Sequence, residues 1–351
     1  MTFAYSTRSV KSMPADIRDK IVNCGIPIEI YTKGYVELGP ANNSALKRLA
    51  NIASSIYKND LPIPPSPMIE YIAQRTGGKS KLDFTMTLGG KKGTGKSVSS
   101  ISMDCRYALV MAELYGQDPK DYFTLDNCVL LEDTERVIQL MDEADKYQAI
   151  LIDDASTAAS NRDALTRSNK NLNKINTVSR TKRWFTTYNM PVRTHVDLQI
   201  RELSDASSRI YGSYHEGGFN ILKINSADII EYKGKNEPRT RRYAFNDRKY
   251  DFWVAYTPEV FDQFKGIVER YDKQRDEAAI RLIHDTATGK KRTRQLTMRE
   301  IKRNEMFDKF YTRVQKLSME GKSKRAIVRS IGYPMNEYWV DILLHGGDNN
   351  A

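Results

Sequence analysis

The residues Gly90-Lys91-Lys92-Gly93-Thr94-Gly95-Lys96-Ser97 constrain this chain more than any other stretch. They read G-x-x-x-x-G-K-S, the pattern of a phosphate-cradling loop set between a strand and a helix. Glycines let the backbone curl so that successive N–H groups converge on phosphate oxygens. Lys96 brings an ammonium to the β- and γ-phosphates, and the Ser97 hydroxyl is a ligand for Mg²⁺. The flanks agree with the pattern. Phe84-Thr85-Met86-Thr87-Leu88 is a β-prone run leading into the glycines. Beyond Ser97, the apolar residues Val98, Ile101, Cys105, Ala108, Leu109 and Ala112 recur at helical spacing, and Gly116 is a helix stop. The helix N-terminus adds partial positive charge to the cradle. Gly90, Gly93, Thr94, Gly95, Lys96, Ser97 and Val98 are the expected nucleotide-binding set.

Strand and helix alternate downstream, which predicts an α/β fold with a parallel sheet covered by helices. Cys128–Leu131 reads as a buried strand ending in Glu132-Asp133, and Thr134–Ala144 as a helix with Asp133 as its N-cap. Ala149-Ile150-Leu151-Ile152 is a second apolar strand, followed by Asp153-Asp154. A carboxylate at the end of a strand beside the loop can hold Mg²⁺. Asp153 takes that role, unless the acids merely cap the strand. Asp154 or Glu132 then positions or deprotonates the attacking water. Trp184–Tyr188 is another strand, closing with Asn189, whose amide can contact the γ-phosphate or the water, with Thr187 behind it. Between these strands, Ser156–Lys174 is polar and rich in arginine, lysine and asparagine.

The 351 residues predict one sizeable domain plus a smaller one, or two. We expect an N-terminal segment with a proline-rich connector over 1–67, a core domain with a β-hairpin region over 68–258, and a basic helical region over 259–351. Ile28–Tyr35 reads as β-prone and Ser44–Tyr57 as an amphipathic helix. Thr194–Ala206 reads as a helix, and Phe219–Tyr232 and Arg239–Tyr256 as hairpin strands turning at Gly234-Lys235-Asn236. Glu259–His284 reads as a long polar helix. Lys290-Lys291-Arg292-Thr293-Arg294 is a basic hinge. At the end, Ser323–Ser330, a turn at Gly332-Tyr333-Pro334, and Met335–Leu344 make a helix-turn-helix-like module over 321–344.

Three scattered cysteines (Cys24, Cys105, Cys128) and four scattered histidines exclude a disulfide framework and a Cys/His metal site. The start lacks an apolar leader, and no run of about 18 apolar residues occurs. The expectation is a cytoplasmic protein. A net charge of +11 favours a polyanionic partner, with DNA ahead of an anionic membrane.

With both motifs in view, Phe84 to Tyr211 resembles the additional-strand (ASCE) class of P-loop ATPases. Within that class it is similar to ATPases of archaeal viruses and plasmids, distant relatives of the HerA/FtsK DNA motors and of AAA+ proteins. The resemblance implies ATP hydrolysis with Mg²⁺, a homo-oligomeric ring, and DNA as track or substrate. It also implies an arginine reaching a neighbouring subunit's γ-phosphate. Arg201 is the candidate, with Arg193 and Arg209 beside it in the sequence. Two positions depart from the pattern. Asp154 stands where these families usually carry Glu, and Asn189 stands where the HerA/FtsK group carries Gln and AAA+ proteins carry Asn. Two functions follow: a DNA-translocating motor, or a nucleotide-dependent switch that binds DNA through the C-terminal helices. A small-molecule kinase fits less well, because no acceptor site or arginine-rich lid is evident.

Overall fold

The computed structural model describes residues 6–34, 38–39, 43–78, 82–130, 134–153, 175, 177–190, 204–214, 217–232, 235–245, 248–287, 310, 313–314, 316–331 and 340. The chain divides into two compact units, Met1–Ala279 and Ile280–Ala351. The first unit begins with helices α1 (Thr7–Lys11), α2 (Ala15–Asn23) and α3 (Ile28–Thr32), strand β1 (Leu38–Gly39), and helices α4 (Asn43–Lys58) and α5 (Pro67–Gly77). Then follow β2 (Phe84–Gly89), α6 (Lys96–Tyr115), β3 (Cys128–Leu130), α7 (Thr134–Glu143), β4 (Ala149–Asp153) and β5 (Phe185–Met190). The rest is β6 (Ala206–Tyr214), β7 (Phe219–Tyr232), β8 (Lys235–Phe245), β9 (Arg248–Tyr250), β10 (Phe252–Tyr256) and, up to Ala279, the first part of α8 (Ile267–Ala287).

All ten strands join one sheet. Its parallel half runs β3-β4-β5-β2-β6. Parallel neighbours need long crossovers, so their carboxyl ends gather at one edge of the sheet. Strand β5 lies between β2 and β4, with Leu88 opposite Asn189 and Ile152 opposite Tyr188. The expected hairpin strands do not form a region apart. They carry the same sheet onward through antiparallel pairing of β6 with β7, β7 with β10 and β8, β10 with β1, and β8 with β9. The sheet is therefore mixed rather than parallel throughout.

Strand alternation explains the two sides of the parallel half. Phe84, Met86, Leu88, Ala149, Leu151 and Phe185 belong to the larger core with α5 and α6. Val129, Ile150, Ile152, Trp184, Tyr188 and Met190 pack with Val137 and Leu140 of α7 and with Ile175. Both faces are covered, so the strands read as continuous apolar runs. Helix α6 is buried from Ser99 to Met111 and stops at Gly116, in left-handed conformation. Cys105 and Cys128 are buried, and burial raises both thiols well above their ordinary value. No helix among the described residues is long and apolar enough to cross a membrane.

Several local expectations are corrected. Ile28–Thr32 is helical, not β: the Tyr31 amide donates to the Pro27 carbonyl at 2.9 Å, and its fully buried ring sets the local conformation over β propensity. Ala206 opens strand β6 rather than closing a helix, because its neighbours Ser207 and Ser208 pair with β2. Lys235 and Asn236 belong to β8, since Lys235 stands opposite Tyr232. The helix expected from Glu259 starts at Ile267. Pro258–Val260 and Asp262–Phe264 form 3₁₀ turns first, and the Glu259 carboxylate accepts from the Gly266 amide at 2.7 Å. Asp133 and the segment 156–174 lie outside the described residues, as do the hinge at 290–294 and the turn at 332–334.

In the second unit, helix α9 (Lys324–Ile331) follows Gly321 as expected. Val314, Ile327 and Val340 form its small core. Of the expected second helix only Val340 is described, and it is helical. A helix-turn-helix is not shown.

The core of the first unit holds one anomalous carboxyl group. Asp104 of α6 is fully buried; its Oδ1 accepts only a long 3.5 Å bond from Thr187, and its Oδ2 has no partner. Burial raises its pKa well above the ordinary value. The native state thus keeps a proton that the unfolded chain releases near pH 4, at about the reference value for Asp. Its contribution is fully present below that pH and is lost as pH rises toward the folded pKa. Asp104→Asn removes the loss. The stability of the variant relative to wild type, from urea denaturation, should increase steadily from about pH 4 to about pH 7. A difference that stays flat across this range would overturn the assignment.

Candidate nucleotide site

The loop from Gly90 to Gly95 leaves the carboxyl end of β2 and enters α6 at Lys96. It is closed by its own hydrogen bonds. Thr94 Oγ1 donates to the Lys91 carbonyl at 2.8 Å, and Lys96 Nζ donates to the same carbonyl at 3.0 Å. The first helical bond of α6 runs from the Ser99 amide to the Gly95 carbonyl at 3.0 Å. The amides of Lys96, Ser97 and Val98 therefore lack intrahelical acceptors, which is what an anion at a helix N-terminus uses. Two side chains from the neighbouring pair β6 and β7 hold the loop. Ser213 of β6 donates to the Thr94 carbonyl at 2.8 Å. Asn220 of β7 donates to Ser99 Oγ at 2.9 Å and to the Gly95 carbonyl at 3.4 Å.

Asp153 ends β4 next to this loop and is only 6% exposed. Ser97 Oγ donates to its Oδ2 at 2.7 Å, and Asn189 Nδ2 donates to its Oδ1 at 3.0 Å. Ser100, one turn along α6 from Ser97, donates to Asn189 Oδ1 at 2.6 Å and so fixes which way the amide faces. The phenol of Tyr271, in the second turn of α8, also donates to Asp153 Oδ2. Burial, then the adjacent Asp153 charge, pushes the Tyr271 hydroxyl far above its ordinary range, so it remains a proton donor.

The structure thus brings Asp153 and Asn189, distant in sequence, to the adjacent pair Lys96-Ser97. Thr187 sits one strand repeat below Asn189, against Asp104 rather than at the loop. Arg209 is exposed on β6, opposite Lys223. Glu132, Asp154, Arg193 and Arg201 lie outside the described residues. The sequence reading missed four contributors. Ser100 carries a signal in retrospect, since it follows Ser97 by one helical turn. Asn220, Ser213 and Tyr271 carry none, because they arrive from distant elements.

Ser97 Oγ and Asp153 offer hard oxygen donors, the type Mg²⁺ prefers. No cluster of three or more His, Cys, Asp or Glu is found among the described residues. The donor set fits Mg²⁺ held together with a nucleotide.

No protein-family model matches the chain, and no curated protein matches its sequence. Among solved structures the chain is similar to the N-terminal domain of zonular occludens toxin from Neisseria meningitidis. Identity is 12%, coverage is 52% of this chain and 98% of that one, and the TM-score is 0.27. A likeness this weak carries no weight for fold or function.

The loop glycines differ in what they tolerate. Gly95 has φ +85°, and a Cβ there would lie 2.7 Å from Asn220 Nδ2, an atom already fixed by Ser99. Gly116 has φ +71° with open space around it. A left-handed backbone costs a residue with Cβ about 1–2 kcal/mol. Gly116→Ala should lose about that much in urea denaturation, and Gly95→Ala clearly more. Equal losses would mean that Asn220 does not crowd the loop.

Proposed function

We propose that the chain is a Mg²⁺-dependent ATPase acting on DNA. The observation that carries the nucleotide part is the meeting of two motifs: Ser97, at the start of the loop helix, bonds Asp153, at the end of β4, at 2.7 Å. On this reading the loop amides and Lys96 hold the β- and γ-phosphates. Ser97 and Asp153 would hold Mg²⁺, which would supply positive charge beside the phosphates. Asn189, locked by Ser100, presents its amide beside the γ-phosphate position. Asp154 or Glu132 orients the attacking water, and Arg201 supplies charge from a neighbouring copy in a homo-oligomeric ring. Little covalent chemistry is required of the protein, because positioning and charge neutralisation do most of the work in phosphoryl transfer.

The DNA part is supported by the net charge of +11. We favour a translocating motor for packaging, transfer or segregation of a mobile element, of the kind found in archaeal viruses and plasmids. A second reading is a nucleotide-dependent switch, such as an initiator or helicase loader. It is favoured by helix α9, whose Lys324, Arg325 and Arg329 are all exposed.

Turnover of ATP with Mg²⁺, with and without long double-stranded DNA, separates the two. A motor should be stimulated by DNA of any sequence, and a switch should turn over slowly and protect one discrete site. Lys96→Ala should weaken ATP binding at least tenfold, as expected for losing a charge-assisted contact of about 1.5–3 kcal/mol. Unchanged binding in that variant would refute the nucleotide reading.

A further inference from the structure

Tyr271 stands where the nucleotide reading has no use for it. Its phenol donates to Asp153 Oδ2, the same oxygen that accepts from Ser97. It is 4% exposed, on a helix whose first turn is anchored by Glu259 through the amides of Gly266 and Val268. A carboxylate oxygen has two lone pairs. On Asp153 Oδ2, donors from Ser97 and Tyr271 occupy both. Each of those O–H hydrogens places the positive end of a dipole where a cation would put its charge.

We propose that Tyr271 is a latch on the magnesium carboxylate, displaced when Mg²⁺ and nucleotide bind. The proposal rests on the nucleotide reading of the site. A cation reaching Oδ2 must replace at least one of the two donors. Ser97 can turn its hydrogen away and offer the same oxygen to the metal. Tyr271 comes from α8, outside the loop motif that assigns Ser97 to the metal, so it is the donor that leaves. Occupancy of the site is then felt by α8, because the second turn of that helix loses its bond to β4. Tyr271 acts through Asp153 and is a positioning residue, not a catalytic one.

The test uses the full chain and a fluorescent N-methylanthraniloyl ATP, titrated with Mg²⁺ in wild type and in Tyr271→Phe. Phenylalanine keeps the ring and deletes only the donor. The latch predicts that half-saturating Mg²⁺ falls on the order of tenfold in the variant, the scale of one hydrogen bond to a charged group. Binding of the analogue in EDTA should not change. A purely structural tyrosine would leave half-saturating Mg²⁺ unmoved, and a tyrosine that orients Asp153 for the metal would raise it. Either result overturns the latch. Amide hydrogen exchange on wild type gives an independent reading. Peptides covering 267–279 should exchange faster with Mg²⁺ and nucleotide together than with nucleotide in EDTA, and equal or slower exchange overturns the proposal. If wild type binds no analogue at any Mg²⁺ concentration, the nucleotide reading itself fails, which is distinct from the case where binding occurs but Tyr271→Phe leaves its Mg²⁺ dependence unchanged.

Discussion

The Asp153 carboxylate is the group on which the arrangement of the first unit depends. Burying an ionised carboxylate costs several kcal/mol unless its oxygens are hydrogen-bonded. Here the donors come from α6, β5 and α8, and Ser100 of α6 orients the donor from β5. Each of these elements is therefore placed not only by apolar packing but by a shared polar requirement. Asp104, on the same helix, shows the opposite solution. It receives one long bond, and burial keeps it protonated instead. One helix thus carries a carboxyl that is neutralised by burial and contacts a carboxylate that is satisfied by donors.

Strand order explains why those donors can meet. With β5 between β2 and β4, Asn189 lies at the carboxyl edge between the loop and Asp153. Phe185, Thr187 and Asn189 alternate onto the α6 side, while Tyr188 and Met190 join the core beneath α7. A register slip of one residue would send Asn189 to the other face and strand Asp153 without its Oδ1 donor. The apolar residues of β5 therefore fix the position of its polar one.

Local signals made much of this legible in the sequence. The glycine loop, the helix from Lys96 to Gly116, and the strands ending in Asp153 and Asn189 are each encoded by neighbouring residues in a short window. What escaped depends on partners far along the chain. Tyr271 sits at an apolar position of a polar helix and reads as a packing anchor until Asp153 is found beside its hydroxyl. Strand β6 carries three serines and one arginine in nine residues and has no apolar run; pairing on both sides makes it a strand. Ile28–Thr32 follows its buried tyrosine rather than its β-branched residues.

The antiparallel strands also change what the loop requires. Had they formed a separate region, the loop would be held only by β2 and α6. Instead β6 pairs with β2 directly, and β6 and β7 send Ser213 and Asn220 to the carbonyls of Thr94 and Gly95. Those contacts fix backbone oxygens on the loop while its helix-entry amides remain without intrahelical acceptors. Constraining carbonyls lowers the conformational entropy that an anion would otherwise have to remove on binding. Strands β4 and β5 thus supply the acid and the amide, and the β6–β7 pair supplies the rigidity of the loop.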